Sequence, residues 1–279
     1  MVFGTLRRHF LKSLPFGATL LLLAGLSTSL LALQRIRLQD FQREDDPRFA
    51  AAAEEKTEWA FARLRYNGAF GGGFGGFGRG GSRWTTDYPK ADRQFVLGVQ
   101  RLTRVDARAI EQVVDPDTDE LFDWPWVYAV EVGSWDFTPD QAQRMQDFLL
   151  KGGFLMVDDF HGTFEWEAFL AGLRKIFPDR PVEDIPDDDA IFHVIADAGE
   201  RIQVPNVGYV NSGRTYERDG VHAEWRAVRD DHGRIVVAIC HNMDLGDAWE
   251  WADLPQYPER FTSLAYRIGV DYIVYSMTH

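Results

Sequence analysis

Three nearly unbroken apolar runs, Phe122–Val132, Phe154–Asp158 and Arg234–Cys240, constrain this chain more than any other feature. A strand that is apolar at almost every position must be covered on both faces, as in a parallel sheet sandwiched between helices. The segments between the runs carry helical spacing. Thr138-Pro-Asp-Gln141 has the layout of a capping box with proline at the first helical position, Ala142, Met145, Phe148 and Leu149 form a buried stripe, and Gly152-Gly153 ends it. After the second run, Trp166, Phe169, Leu170, Leu173, Ile176 and Phe177 share one helical face. Upstream, the aromatic-rich stretch Trp59–Tyr66 reads as the first strand. Phe95, Val96, Val99 and Leu102 then mark the inward face of a crossover helix, with Asp87 as its cap and Pro89 near its first turn. A last helix starts near Glu259 and turns Phe261, Leu264, Ala265 and Ile268 inward. This alternation predicts an α/β fold, a single doubly wound and mostly parallel sheet over residues 58–279.

With 45% hydrophobic and 26% charged residues over 279 positions the chain can build one sizeable core, which excludes wholesale disorder, collagen and coiled coil. Its single cysteine, Cys240, cannot close an intramolecular disulfide, so a disulfide-stapled miniprotein is excluded too. The formal charge is −13, and because Arg7, Arg8 and Lys12 at the start have no acid near them, the body is more acidic still. Such a body disfavours nucleic acid or anionic lipid as a partner through a basic surface. Thr5-Leu-Arg-Arg-His-Phe-Leu-Lys12, followed by a mostly apolar run from Leu14 to Leu33, resembles the twin-arginine export signal. An ordinary signal-anchor helix is the alternative, since about 20 apolar residues span a bilayer. Residues 1–33 are therefore expected to be a signal peptide or N-terminal membrane anchor, and 34–57 a polar tether. The body would then be periplasmic or held at the outer face of the cytoplasmic membrane, touching that membrane only through the N-terminal segment. The glycine-rich stretch 67–83 invites a phosphate-loop reading, but it lacks the Gly-Lys-Ser/Thr ending and reads instead as a surface loop or flap.

In an open parallel sheet the ligand cleft lies beyond the carboxyl ends of the strands. Asp158, Asp159 and His161 follow the second apolar run, while His241, Asn242 and Asp244 follow the third, and Glu131 closes the first. Adjacent aspartates on an extended chain point to opposite sides, so one of Asp158 and Asp159 faces the cleft and the other bonds backbone amides or caps a helix. Asp159, His161 and His241 are the candidate catalytic residues, as general acid and base, and also the candidate ligands of a divalent metal. Asp158, Glu131, Arg214, Asn242, Asp244 and Asp87 are candidate binding residues, Arg214 as a clamp for a carboxylate or phosphate. The structural alternative is that the aspartates fix the turn and His161 packs against the aromatic helix. Asp184-Ile-Pro-Asp-Asp-Asp189 lacks the alternating ligands, glycine and distal glutamate of an EF-hand and reads as a solvated acidic turn. Trp124, Trp126, Trp135, Trp249 and Trp251 lie near strand ends, where they could stack on sugar rings or belong to the core.

Arg63-Leu-Arg-Tyr-Asn-Gly68, Thr86-Asp-Tyr-Pro89, Gly152-Gly-Phe-Leu-Met-Val-Asp-Asp159, His161-Gly162, Phe177-Pro178 and Asn211-Ser-Gly-Arg214 resemble the bacterial domain-of-unknown-function family numbered 4159. That family is similar to the class I glutamine-amidotransferase-like, flavodoxin-type fold, and Gly233–His241 looks like the end of trehalose-utilisation-type (ThuA-like) domains. The resemblance implies a cysteine nucleophile at the turn that here reads Asp158-Asp159-Phe160-His161, and Cys240 sits at a different strand end, so glutaminase chemistry is not expected. Besides a structural partner of a membrane complex, suggested by the anchor-like segment and the acidic tether, two readings follow. One is a non-catalytic ligand-binding or interaction domain of the cell envelope, with a small polar ligand or an envelope protein as partner. The other is an Asp/His-dependent hydrolase or isomerase-like enzyme, with or without a divalent metal, on a sugar or other small polar molecule.

Overall fold

Residues 53–68 and 83–279 are described by a computed structural model. The export-type segment, nearly all of the tether and the body of the glycine-rich loop lie outside the described residues. In chain order the elements are β1 (Ala62–Leu64), β2 (Asn67–Gly68), α1 (Lys90–Leu102), β3 (Gln112–Val114), β4 (Trp126–Val130), β5 (Trp135–Asp136), α2 (Pro139–Leu150) and β6 (Phe154–Asp158). They continue with α3 (Gly162–Ile176), β7 (Glu183–Asp184), β8 (Glu224–Arg229), β9 (Ile235–His241), α4 (Leu245–Glu250) and α5 (Glu259–Thr278).

The sheet of seven strands runs β3-β1-β4-β6-β9-β8-β7, and β2 pairs with β5 in a small separate ribbon. From β3 to β9 all pairings are parallel, and β8 and β7 extend the edge antiparallel. The apolar runs supply the three adjacent inner strands β4, β6 and β9, each buried at every residue, but the first run is strand only over Trp126–Val130, because Asp119–Asp123 form a 3-10 turn that leaves Phe122 exposed. Alternate residues serve opposite layers. Trp126, Tyr128, Phe154 and Met156 pack with Phe95, Val99, Ile268 and Tyr272 of α1 and α5, while Val127, Ala129, Leu155 and Val157 pack with Met145, Leu149, Phe169 and Leu173 of α2 and α3. The parallel strands therefore form a doubly wound, mostly parallel α/β sheet of flavodoxin-like order, second-first-third-fourth-fifth, whose direction of winding reverses between β1 and β4.

Local signals are met closely at α2. Thr138 Oγ1 accepts from the Gln141 amide at 3.2 Å and the Thr138 amide donates to Gln141 Oε1 at 3.0 Å, a complete capping box ahead of Pro139. Other expectations are corrected. The first strand is shorter than Trp59–Tyr66, because only Ala62–Leu64 joins the ladder and Trp59 makes an isolated bridge. Asp87 caps nothing with its side chain: Pro89 is the N-cap of α1, and Asp87 contributes its carbonyl to the Ala91 amide. Leu102 leaves the buried stripe and is 59% exposed, since α1 ends there and the chain turns away at Thr103. Strands β3 and β8 carried too few apolar residues to stand out, and they pair because their neighbours offer open edges.

Candidate functional site

The three inner strands end alike. Glu131 follows β4, Asp159 follows β6 and Asn242 follows β9, and all three are left-handed, with φ of 55°, 54° and 64°. Asp87, just before α1, is left-handed too, at 61°. Non-glycine residues rarely adopt this region, although Asp and Asn tolerate it best. Cross-turn hydrogen bonds hold them there: the Glu131 amide donates to the Asp158 carbonyl, the Asp159 amide to the Met243 carbonyl, and the Asn242 amide to the Phe160 carbonyl. Surroundings that over-determine an unfavourable backbone are typical of places where side-chain position matters. Each turn swings a polar side chain out at the carboxyl edge beside the winding reversal.

The two aspartates of the β6 turn divide as expected. Asp158 Oδ2 accepts from the Leu245 and Gly246 amides at 2.8 and 2.9 Å and from the Tyr128 hydroxyl at 3.2 Å. It thus anchors the first turn of α4 to the sheet, while Asp159 faces the edge. The N-terminus of α3 is satisfied by others: Glu165 accepts from the His161 amide at 2.7 Å, Asn242 Oδ1 from the Gly162 amide at 2.8 Å, and Asp219 from the Thr163 amide at 3.0 Å. Gly162 (φ 73°) must be glycine, because a Cβ there would strike the Asp219 carboxylate.

Asp159 stands in a buried acidic group. Carboxylate oxygens of Asp87, Asp159 and Asp244 lie within 4.8 Å of one another, and Asp159 and Asp244 are 7% and 1% exposed. Asp244 Oδ1 caps the Asp247 amide at 2.8 Å, and Asp244 Oδ2 accepts from Asn206 at 3.1 Å. Asp247 is spent on the Val207 amide and the Trp251 indole. Burial, and then the charge of the neighbouring acids, pushes the carboxyls of Asp87, Asp159 and Asp244 well above the usual range. Burial lifts Asp158 to about 7. On the β4 side the acids are compensated instead: Arg83 Nη1 meets Glu131 Oε2 at 2.5 Å and Glu165 Oε1 at 3.5 Å, and Arg218 meets Glu165 at 2.6 Å. Burial still raises Glu131 to about 7 against the pull of Arg83.

The histidines part company. His161 Nε2 lies 3.1 Å from Asp159 Oδ1, and its Nδ1 is buried with no hydrogen-bond partner. Burial holds the ring down to about 3, so it is neutral at physiological pH. His241 stacks on Phe160 and Trp166, each 4.8 Å between centroids, with the Gly162 carbonyl at 3.4 Å and Arg226 at 3.3 Å from its nitrogens. It makes no contact with Asp159. Arg214 is away from the acidic group, sandwiched between Tyr209 and Tyr216 at 5.0 and 4.4 Å.

Of the tryptophans near strand ends, Trp126, Trp135 and Trp249 are core residues, each at most 1% exposed, and Trp124 and Trp251 are partly buried. The acidic turn at 184–189 is drawn onto arginines: Asp184 pairs with Arg226, Asp187 with Arg201, and Asp189 with Arg229. Several neighbours of the site had no strand-end signal. Arg218, Asp219 and Asn206 come from irregular segments and Arg83 from a single 3-10 turn, and only the Asp244-Leu-Gly-Asp247 spacing, that of a capping aspartate with an acid in the first turn, marks α4 in advance.

Cys240 is fully buried inside β9 and its thiol is pushed well up by burial, so it is no thiolate nucleophile. Among the described residues no helix is long and apolar enough to cross a membrane. A search of curated proteins finds no match to the chain. The model of a domain of unknown function (DUF4159) matches residues 60–277, nearly the whole body described above, and the chain belongs to that family.

Proposed function

We propose that this is an exported cell-envelope protein whose domain binds a small polar ligand, or a polar group of an envelope partner, at the carboxyl edge of its sheet. The cleft is amidotransferase-like in position and lacks the cysteine that such chemistry needs. One observation carries the reading: Glu131, Asp159 and Asn242 end three adjacent strands in the same left-handed conformation, and at that carboxyl edge Asp159 meets Asp87 and Asp244. The acidic groups gathered there suit a hydroxyl-rich or cationic ligand. A second reading has a specific observation of its own, the 3.1 Å contact of His161 Nε2 with Asp159 Oδ1, which is the spacing of a carboxylate with an acid–base imidazole in a hydrolase or isomerase-like enzyme.

Complementation of a deletion strain of the native host by folded variants separates these readings. Binding without acid–base chemistry predicts loss of function with Asp159→Ala and retention with His161→Gln. Equal loss with both moves the assignment to the enzyme, and full function with both removes the edge as the functional site. Export by the twin-arginine route predicts that an Arg7→Lys, Arg8→Lys chain stays in the cytoplasm. Its continued appearance in the envelope would point to an ordinary signal-anchor.

A further inference from the structure

The acidic edge is short of positive charge. Among the described residues no Lys or Arg pairs with Asp87, Asp159 or Asp244. The nearby cations are committed elsewhere: Arg63 to Asp92, and Lys90 to Asp253. Two oxygens beside the group are also without a donor. Asp158 Oδ1 is fully buried and has no hydrogen-bond partner, and neither has the buried Asp87 Oδ2. Both carboxylates gather around Gly246. Its amide binds Asp158 Oδ2, and a Cβ built on it would lie 2.7 Å from Asp87 Oδ2, 3.0 Å from the Tyr128 hydroxyl and 3.7 Å from Asp244 Oδ1. Ionised carboxylates are not left buried unless a charge of opposite sign accompanies them.

We propose that Asp87, Asp159 and Asp244 hold a hard divalent cation of the magnesium, manganese or calcium type, with the buried, unpartnered Asp87 Oδ2 among its ligands. Oxygens on opposite sides of such an ion, bound at about 2.0–2.6 Å, lie roughly 4–5 Å apart, and the three carboxylates present oxygens within 4.8 Å of one another. An all-oxygen donor set selects these ions over zinc or copper. His161 contributes from behind, its Nε2 against Asp159 Oδ1, orienting a ligand carboxylate rather than binding the ion. The remaining coordination positions would take water or the oxygens of the polar ligand. The inference deepens the proposed function and rests on the same edge, but it fails separately from it.

The test uses the full-length chain purified in detergent, stripped with EDTA and titrated with Mn²⁺ at neutral pH, with free Mn²⁺ followed by paramagnetic resonance. One Mn²⁺ per chain is expected, displaced by Ca²⁺ or Mg²⁺ and accompanied by a rise in Tm. Asp87→Asn and Asp159→Asn should each weaken binding by at least about tenfold with unchanged far-ultraviolet circular dichroism. Failure of the folded wild-type chain to bind stoichiometric Mn²⁺ at about 1 mM, or binding that both variants leave intact, overturns the proposal, and proton sharing then neutralises the group. Binding of Mn²⁺ together with full complementation by Asp159→Ala would keep the cation site and discard the edge as the functional site. No binding together with loss of complementation would do the reverse.

Discussion

Two neighbouring groups of buried acids are treated in opposite ways. Asp92, fully buried on α1, receives both ends of the Arg63 fork: Nε donates to Oδ2 at 2.8 Å, Nη2 pairs with Oδ1, and Nη1 binds the carbonyls of Trp84 and Thr86 at 3.0 Å. That pair is closed, with the Arg63 guanidinium lying 5.1 Å over Tyr128. A few residues on, Asp87, Asp159 and Asp244 meet with no internal cation among the described residues. Arg63 thus fixes the segment that leads to Asp87 while its own charge is used on Asp92. A fold able to neutralise one buried acid by a bidentate arginine leaves its neighbours without one at the carboxyl edge, the difference on which the proposed function rests.

The largest effect should come from breaking the closed pair. Arg63→Met leaves Asp92 buried and unpaired and is expected to cost about 3–5 kcal/mol in urea unfolding. A loss below about 1 kcal/mol would mean that the pair is no more compensated than the open group. Next, Gly246→Ala forces a methyl against Asp87 Oδ2 and the Tyr128 hydroxyl and should cost about 1–3 kcal/mol by the same measurement. Asp159→Asn should act with the opposite sign. In cation-free protein at neutral pH it removes a repelling charge and keeps a side chain that tolerates the left-handed backbone, so stability should rise by about 0.5–2 kcal/mol. A fall would show that the open group is compensated after all.

The smallest effect is a slope. Burial holds His241 down to about 4, below its ordinary value, so the stability from its neutral form is complete above about pH 6.5 and is lost as pH falls towards 4. Arg226 and Asp219 are the charged groups facing it. His241→Gln should flatten stability against pH in that window, which unfolding at a series of pH values would read. An unchanged slope would assign the acid sensitivity to other groups.

Much of this was legible in advance. The apolar runs announced β4, β6 and β9, the Thr138 box announced α2, and strand-end placement singled out Glu131, Asp159, Asn242 and Asp244. Asp87 was picked from its local position, though for a cap it does not make. His241 makes no hydrogen bond to Asp159 or His161, although its charge bears on the His161 ring, because β9 directs its last side chain to the layer of Phe160 and Trp166, whereas Asp244, three residues on, returns to the layer of α4.

The amino-acid sequence by itself determined the inner strands, the main helices and that the sheet is covered on both faces, because periodicity and caps act over a few residues and need no distant partner. Only the tertiary structure decided which acids are neutralised. Arg63 and Asp92 are 29 residues apart, and Asp87, Asp159 and Asp244 come from the start of α1, the end of β6 and the turn after β9. They meet because the order of strands brings those ends to one edge. Whether a buried carboxylate finds an arginine or another carboxylate there depends on that order, which no local pattern encodes.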